Sequence, residues 1–505
     1  MALVVPLLAW LAWRPPWSPG GRIPADWLPV VALAGLVAAG LLSAVRPFGG
    51  HLFGPFGWPA QACALVALAA VLIPAAPVRS RPPLRRFGVV DELSCYFDSP
   101  AEPNNVHLEV WLPGHLDEAR LRQAVMALLT AQPAARARQA PGHRWRRGYA
   151  WEIPPQADYD PVSVTNWRTG AELDAARARF LATAPPLDLS PPFRLLRARG
   201  PEGDSLILNA HHAAFDGHSC LLVLCLIADL YSGRVAAPEL VPEDPGPRPS
   251  QGARPRRATL RPAARIAPRG ADDRAPGYGF CLLGWPGVPA VPQPADGLRA
   301  TVNDLLVAAL AETISRWNAG GRERHPARCI RISVPADARP PGARDALGNL
   351  SRLCTVTAEP GEPGGAALVA AVTAQTRQAK DQAGPQVDPA LAALAKMPLP
   401  ATVKRRLVRL AVRCLGRRAA STSLLSNLGN ITSPPRFGSL TPARMWFSTS
   451  AHMPRGLSVG AITVEGRLQL CFRSRRALLD DAAASEFAAE YAAVLTSLAA
   501  GEEGR

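Results

Sequence analysis

The chain has 505 residues, 48% hydrophobic and 19% charged, enough for two or three domains around a large core. This composition excludes an intrinsically disordered chain, a collagen and a small disulfide scaffold. The formal net charge is +16, and all but three of the 56 basic residues (Lys380, Lys396 and Lys404) are arginine. Beside abundant Ala, Gly and 53 prolines, that preference reads as GC-rich coding rather than a nucleic-acid surface. No zinc-finger spacing or RNP-like aromatic stretch argues otherwise, so no nucleic-acid partner is expected. The nine cysteines include no CxxC pair, which points to free thiols in a reducing compartment.

Residues 1–80 form a hydrophobic prefix. Trp27–Val45 and Trp58–Val78 run for 19 and 21 residues without a charged side chain. At about 1.5 Å per residue each is long enough to cross roughly 30 Å of hydrocarbon as a helix. A membrane hairpin turning at Arg46–Gly57 is therefore expected. Arg79, Arg81, Arg85 and Arg86 place the following domain on the cytoplasmic face of the membrane. Ala-rich helices buried in a core are the alternative. No basic region precedes the first apolar run, so a cleaved signal peptide is not expected.

Residues 84–235 read as a first α/β unit. Val106–Leu112 alternates with period two and predicts a half-buried strand. Asp117 is placed to cap a helix from Glu118 to about Thr130, with Leu121, Val125, Leu128 and Leu129 on one face. Ser205–Ala210 predicts a short strand, and Ser219–Tyr231 an apolar helix closed by Ser232 and Gly233.

Residues 236–300 read as a Pro/Arg-rich surface crossover or disordered linker. Its Arg254, Arg256, Arg257, Arg261, Arg265 and Arg269 are available to acidic lipid. Residues 301–500 form a second α/β half. It holds a helix at Val302–Trp317, strands at Cys329–Val334 and Leu424–Leu428, two strands about Glu465-Gly466 within Ala461–Arg473, and a closing helix at Asp480–Leu498. Thr402–Arg418 is a basic amphipathic helix, suited either to an anionic membrane surface or to packing by its apolar stripe.

Chemistry concentrates at His211-His212-Ala213-Ala214-Phe215-Asp216-Gly217, between a strand and an apolar helix. An imidazole with an ordinary pKa of about 6.5 suits general-base work. Neighbours on an extended segment point opposite ways, so one ring faces a substrate while the other packs inward. Gly217 is expected to permit a backbone angle that other residues resist. Asp216 is expected to hold the loop through a buried partner. The plainer alternative is two polar residues at a strand end, with Asp216 capping the next helix. His107, His115, His143 and His325 stand apart, and neither a metal centre nor a serine nucleophile is expected.

HHAAFDG resembles the HHxxxDG signature of the CoA-dependent acyltransferase superfamily. That group includes chloramphenicol acetyltransferase, nonribosomal-peptide condensation domains, wax ester synthase/diacylglycerol acyltransferases and polyketide-associated acyltransferases. Val89–Pro100, Leu116–Arg138 and Pro186–Ala198 are similar to the family's other first-half segments. Thr301–Trp317, Ala346–Leu350 and Ser426–Ile431 resemble those of the wax ester synthase branch, and the DFGWG motif of condensation domains is not visible. The resemblance covers about residues 87–500. It implies two chloramphenicol-acetyltransferase-like α/β subdomains with a central tunnel.

By the same resemblance His212 is the general base beside His211, and the Gly217 N–H is a candidate oxyanion donor. Asp216 is structural and paired with Arg136, or else Arg138. Asn303, Asp304, Ser426 and Asn427 are second-half motif residues that cap elements or shape the tunnel. The implied reaction moves an acyl group from acyl-CoA, or from the phosphopantetheine thioester of an acyl carrier protein, to an alcohol or amine. No bound cofactor and no covalent acyl-enzyme are needed, and a monomer is expected. The hydrophobic prefix suggests a lipid-like substrate. A stand-alone condensation-type enzyme and a silent membrane-tethered scaffold are the other readings.

Overall fold

The structure, a computed structural model, describes residues 85–142, 146–234, 262–270, 277–294, 297–320, 329–339, 344–359, 364–381, 393 and 397–501. Both expected membrane spans, and Arg254, Arg256, Arg257 and Arg261, lie outside the described residues. Among those described, no helix is long and apolar enough to cross a membrane.

In chain order the first elements are β1 (Arg85–Arg86), α1 (Val89–Phe97), β2 (Asn105–Leu112), α2 (Glu118–Ala131), β3 (Arg138–Gln139) and β4 (Ala150–Glu152). Next come β5 (Val162–Asn166), α3 (Gly170–Leu181), β6 (Phe193–Arg199), β7 (Asp204–His211) and α4 (Gly217–Ser232). The second half holds β8 (Tyr278–Gly284), α5 (Val302–Ala319), β9 (Ile330–Asp337), β10 (Ser351–Ala358), α6 (Gly365–Asp381) and α7 (Ala401–Ala419). It ends with β11 (Ser423–Ile431), β12 (Arg444–Ser448), β13 (Leu457–Val464), β14 (Arg467–Arg475) and α8 (Asp481–Ala500).

Local chemistry sets the boundaries. Asp117 takes the N–H of Arg120 and starts α2, and Asp480 takes that of Ala483 and starts α8. Caps of this kind stabilise a helix by about 1 kcal/mol. Gly233, with φ of +70°, ends α4 in the left-handed conformation that a side chain resists. Glu465 and Gly466, both with positive φ, turn β13 into β14.

Two large sheets result. One has the order β12-β2-β7-β6-β5 and the other β10-β9-β11-β13-β14-β8, with a small sheet β1-β4-β3 beside them. Leu108, Val110, Leu206 and Leu208 pack one face of the first sheet against Leu121, Val125 and Leu128 of α2 and Leu224 and Ile227 of α4. A separate core joins α5, α6 and α8 to the second sheet.

Several expectations are corrected by tertiary packing. β2 is buried on both faces except at Trp111, because Arg177 of α3 covers Glu109 and the second half covers His107 on its polar side. The halves are not separate units, since β12 leaves the second half and pairs with β2, with Met445 opposite Val110 and Phe447 opposite Leu108. Residues 236–300 are not wholly a linker. β8 is a full edge strand on β14, and Ala263 and Ile266 are buried ahead of it. Arg269 stacks 3.6 Å from the Trp317 ring and pairs with Glu486, so it is held by protein. Arg265 likewise donates to the carbonyls of Ser421 and Pro454.

The basic helix α7 also packs on protein. Val408 is buried against Leu93 and Tyr96 of α1, and Lys404 Nζ lies 3.2 Å from Glu92 Oε2. The eight described cysteines are all unpaired thiols.

Candidate active site

β7 brings His211 into the seam between the two large sheets. Side chains alternate along it, so Leu206, Leu208 and Ala210 enter the first core while Ser205, Asn209 and His211 share the opposite face. On β2, Asn105 stands opposite His211 and His107 opposite Asn209. The second half closes over this face. Arg473 Nη1 donates to the Asn105 carbonyl at 3.1 Å, and Phe280 lies edge-on to His107 at 5.8 Å. His211 is 2% exposed, its Nδ1 accepts the Ala213 N–H at 3.0 Å, and its Nε2 lies 3.9 Å from Asp98 Oδ2. It is the inward-packed member of the pair.

His212 follows the strand, and both of its backbone groups are tied. Its N–H donates to the Asn104 carbonyl at 2.9 Å, and its carbonyl accepts from Asn349 Nδ2 at 2.7 Å. The ring is different. Nδ1 is buried without a hydrogen-bond partner, and no described side chain bonds the imidazole. Burial pushes its pKa below the ordinary histidine value, against the opposing pull of the Asp216 charge. The ring is therefore neutral at pH 7, as a base must be.

Asp216 both caps the next helix and holds the loop through a buried partner. Its Oδ1 caps α4 by taking the Ser219 N–H at 2.8 Å. Its carboxylate also meets a guanidinium, that of Arg339 rather than Arg136 or Arg138. Nη1 and Nη2 each lie 2.9 Å from one carboxylate oxygen, in a two-pronged pair. The Arg339 side chain is fully buried and comes from just beyond β9, in the other half. Arg136 instead donates to the carbonyls of Pro154, Leu129 and Thr130 near its own short helix, and Arg138 pairs with Asp158 and Glu152.

The segment Ala346–Leu350 completes the arrangement. Leu350 N–H donates to Asp216 Oδ2 at 2.9 Å, and the Gly348 carbonyl accepts from Asp216 N and Ser219 Oγ. The roles of Arg339 and Asn349 were missed. The available signal was their proximity to ALGNL, a stretch the resemblance had already marked.

Gly217 is required for a reason other than the expected one. It is the first residue of α4 and does not have positive φ. A Cβ there would stand 2.6 Å from Phe447 Cε2 and 2.9 Å from Leu428 Cδ2. Gly217→Ala is expected to cost about 1–3 kcal/mol through overpacking, read as a lower urea midpoint at unchanged slope.

Leu428 belongs to the second-half motif. Asn427 Oδ1 takes the Gly429 N–H at 2.8 Å in a bulge of β11, and Ser426 is buried in the strand before it. The bulge thus reaches the signature through Leu428. Asn303 and Asp304 do not reach it through any described hydrogen bond. Asp304 forms a capping box with Thr301 and accepts from Thr376 Oγ1 at 2.7 Å, tying α5 to α6, while Asn303 is a half-buried neighbour on the same turn.

A GxSxG spacing does occur at Gly456–Gly460, but it is not a nucleophile elbow. Ser458 is buried within β13 and donates to the Thr449 carbonyl at 2.7 Å. Among the described residues, no group of His, Cys, Asp and Glu side chains is placed to hold a metal ion.

A further histidine lies beside the site. Neither ring nitrogen of His452 has a partner, and burial, with the charges of Arg455 and Arg473, pushes its pKa down to about 3. The unfolded value is about 6.5, so stability is full above that pH and falls as pH drops toward 3, where the unfolded chain binds a proton that the folded one refuses. Between pH 7 and 4.5, His452→Gln is expected to lose about 2–3 kcal/mol less stability than wild type in urea titrations.

This two-sheet arrangement is the fold seen in condensation domains of peptide and polyketide synthetases. Similar solved structures include the first condensation domain of the CDA synthetase, with TM-score 0.59 and 18% identity over 84% of this chain and 97% of that one. A mutant of the starter condensation domain of rhizomide synthetase RzmA, in complex with C8-CoA, gives 0.56 and 13% over 83% and 96%. SgcC5 protein from Streptomyces globisporus gives 0.53 and 16% over 83% and 100%. At these identities the likeness is one of fold.

No family model matches the chain. Two relatives from Mycobacterium tuberculosis, Uncharacterized protein Rv2305 and Uncharacterized protein MT2362, are each 30% identical over 437 residues, covering 80% of this chain and 97% of theirs. The chain belongs to their family.

Proposed function

We propose that this protein is an acyltransferase that moves an acyl group from acyl-CoA to an alcohol or amine. The observation that carries the reading is the His212 ring: neutral, free of side-chain partners, and fixed by its backbone where the two halves meet. His212 takes the proton of the acceptor hydroxyl or amine as that atom attacks the thioester carbonyl. Gly217, at the first position of α4, has no acceptor within the helix, and its N–H is the donor offered to the oxyanion. Collapse of the tetrahedral intermediate breaks the carbon–sulfur bond, and the leaving thiolate takes the proton back from the imidazolium. No enzyme atom is acylated. The C8-CoA complex of the RzmA domain supports CoA as the donor's carrier.

The condensation-domain neighbours favour a second reading, with a carrier-protein thioester as donor. We place the catalytic part at the cytoplasmic membrane face, tethered by the hydrophobic prefix, which suits a lipid-like substrate. The test is acceptor-dependent thiol release from octanoyl-CoA and from octanoyl carrier protein, with long-chain alcohols and amines. Turnover with CoA supports the first reading, and turnover with carrier protein alone the second. Release from neither donor overturns both.

A further inference from the structure

The turn after β12 and the strand β14 carry a cluster of polar atoms that the proposed chemistry does not use. Among the described residues, Thr449 Oγ1, both ring nitrogens of His452, Arg455 Nε and Arg473 Nε are buried without hydrogen-bond partners. Folded proteins leave few such atoms unmatched, and a cluster of them marks a place where an outside group completes the bonding. His452 stands close enough to Arg455 and Arg473 for their charges to lower its pKa, with Asp98 pulling the other way and the His212 ring nearby.

The charge is uncompensated as well. The Arg455 side chain has no ion pair or hydrogen bond among the described residues. Arg473 is fully buried, held by Asn105 through Nη1 at 3.1 Å and Nη2 at 2.5 Å, and lies 4.0 Å from the centre of the Tyr278 ring. Burial lowers both guanidinium pKa values to about 10, which leaves both charged at pH 7. Burial holds Tyr278 neutral, at about 12.

Carboxylates on the neighbouring elements are engaged elsewhere. Glu102 lies 3.5 Å from Arg475 and takes the Met453 N–H at 2.9 Å. Asp98 takes the Asn104 N–H at 2.8 Å and faces His211. Two cations therefore stand beside His452, and among the described residues neither has a carboxylate partner of its own.

We propose that Arg455, backed by His452 and Arg473, seats a carboxylate carried by the acceptor, which makes the acceptor a hydroxy acid or amino acid rather than a neutral alcohol. This rests on the acyl-transfer reading. A carboxylate accepts from the guanidinium N–H groups and cancels a charge that burial makes costly. The phosphates of CoA lie a full pantetheine arm from the thioester, whereas this cluster reaches His212 through His452.

The matched probes are 3-hydroxydecanoate and its methyl ester, with octanoyl-CoA and the full chain. Wild type is expected to favour the acid. Arg455→Met should lower kcat/KM for the acid about 10–100-fold, mostly through KM, and leave the ester unchanged. Arg455→Lys should restore part of the loss. Equal losses for acid and ester overturn the proposal. A loss that vanishes when octanoyl-N-acetylcysteamine replaces octanoyl-CoA also overturns it, because Arg455 then reads the CoA phosphates.

Calorimetric binding of decanoate and decanol needs no turnover, so it separates this proposal from the catalytic one. Tighter binding of decanoate to wild type than to Arg455→Met, with decanol unaffected, supports the site. Equal binding to both proteins removes it. Arg455 anchors nothing in the fold, and the variant is expected to melt as wild type does.

Discussion

His212→Ala is expected to lower acceptor-dependent thiol release by about 10²–10⁴-fold while leaving the unfolding free energy from urea titration within about 1 kcal/mol of wild type. The two halves of that result have separate causes. The ring supplies the proton acceptor for the attacking nucleophile, and no described side chain stands hydrogen-bonded to it as a substitute. The fold loses little, because His212 is held by its N–H to Asn104 and its carbonyl to Asn349, and alanine keeps both. In wild type the acidic limb of kcat/KM should fall below the ordinary histidine value of about 6.5, since burial lowers the pKa and keeps the base unprotonated at lower pH. Rates measured from pH 4.5 to 8 check the sign. A limb above 6.5 contradicts the assignment.

Asp216→Ala should be the most damaging single change to the structure of the site, at about 3–5 kcal/mol, with activity lost alongside. The carboxylate caps α4, accepts the Leu350 N–H and neutralises Arg339, so alanine leaves a buried guanidinium whose remaining ion partner is Asp337. The signature loop then keeps only its backbone and Ser219 bonds to the second half. Arg339→Met should be similar in kind, and the double variant should cost less than the two single costs added together, by more than 1 kcal/mol on the order-of-magnitude scale of contacting charges. Urea titrations of the four proteins measure that coupling. Arg136→Met is the contrasting control: its bonds end on carbonyls of its own half, and activity should survive it.

Where residues act locally, the sequence was a good guide. The period-two run at Val106–Leu112 and the capped, apolar-faced helix after Asp117 formed within a residue or two of expectation, because alternation and capping are decided by near neighbours. The signature loop was legible for the same reason. Long-range choices were not. Arg339 lies 123 residues beyond Asp216, in a chain whose basic residues are nearly all arginine, so spacing could not select it. β8 was hidden because YGFCLLG lacks clean alternation and sits between Pro- and Arg-rich stretches. The polar face of β2 looked solvent-bound because only tertiary structure shows that α3 and the second half cover it. The expected strain at Gly217 proved to be a matter of space, which depends on where Phe447 and Leu428 arrive.

The loan of β12 to the opposite sheet has a consequence for how the molecule is made. When the ribosome has delivered β2, β7, β6 and β5, one flank of that sheet still presents the open backbone of β2, and Met445 and Phe447 have yet to fill the nearby core. The missing piece emerges only after most of the later half has been synthesised, with β13, β14 and α8 still to come. Such late closure between distant stretches of chain gives slow maturation and a prolonged period of aggregation risk, which explains why a product cut off before Arg444 should be insoluble rather than a working half-enzyme.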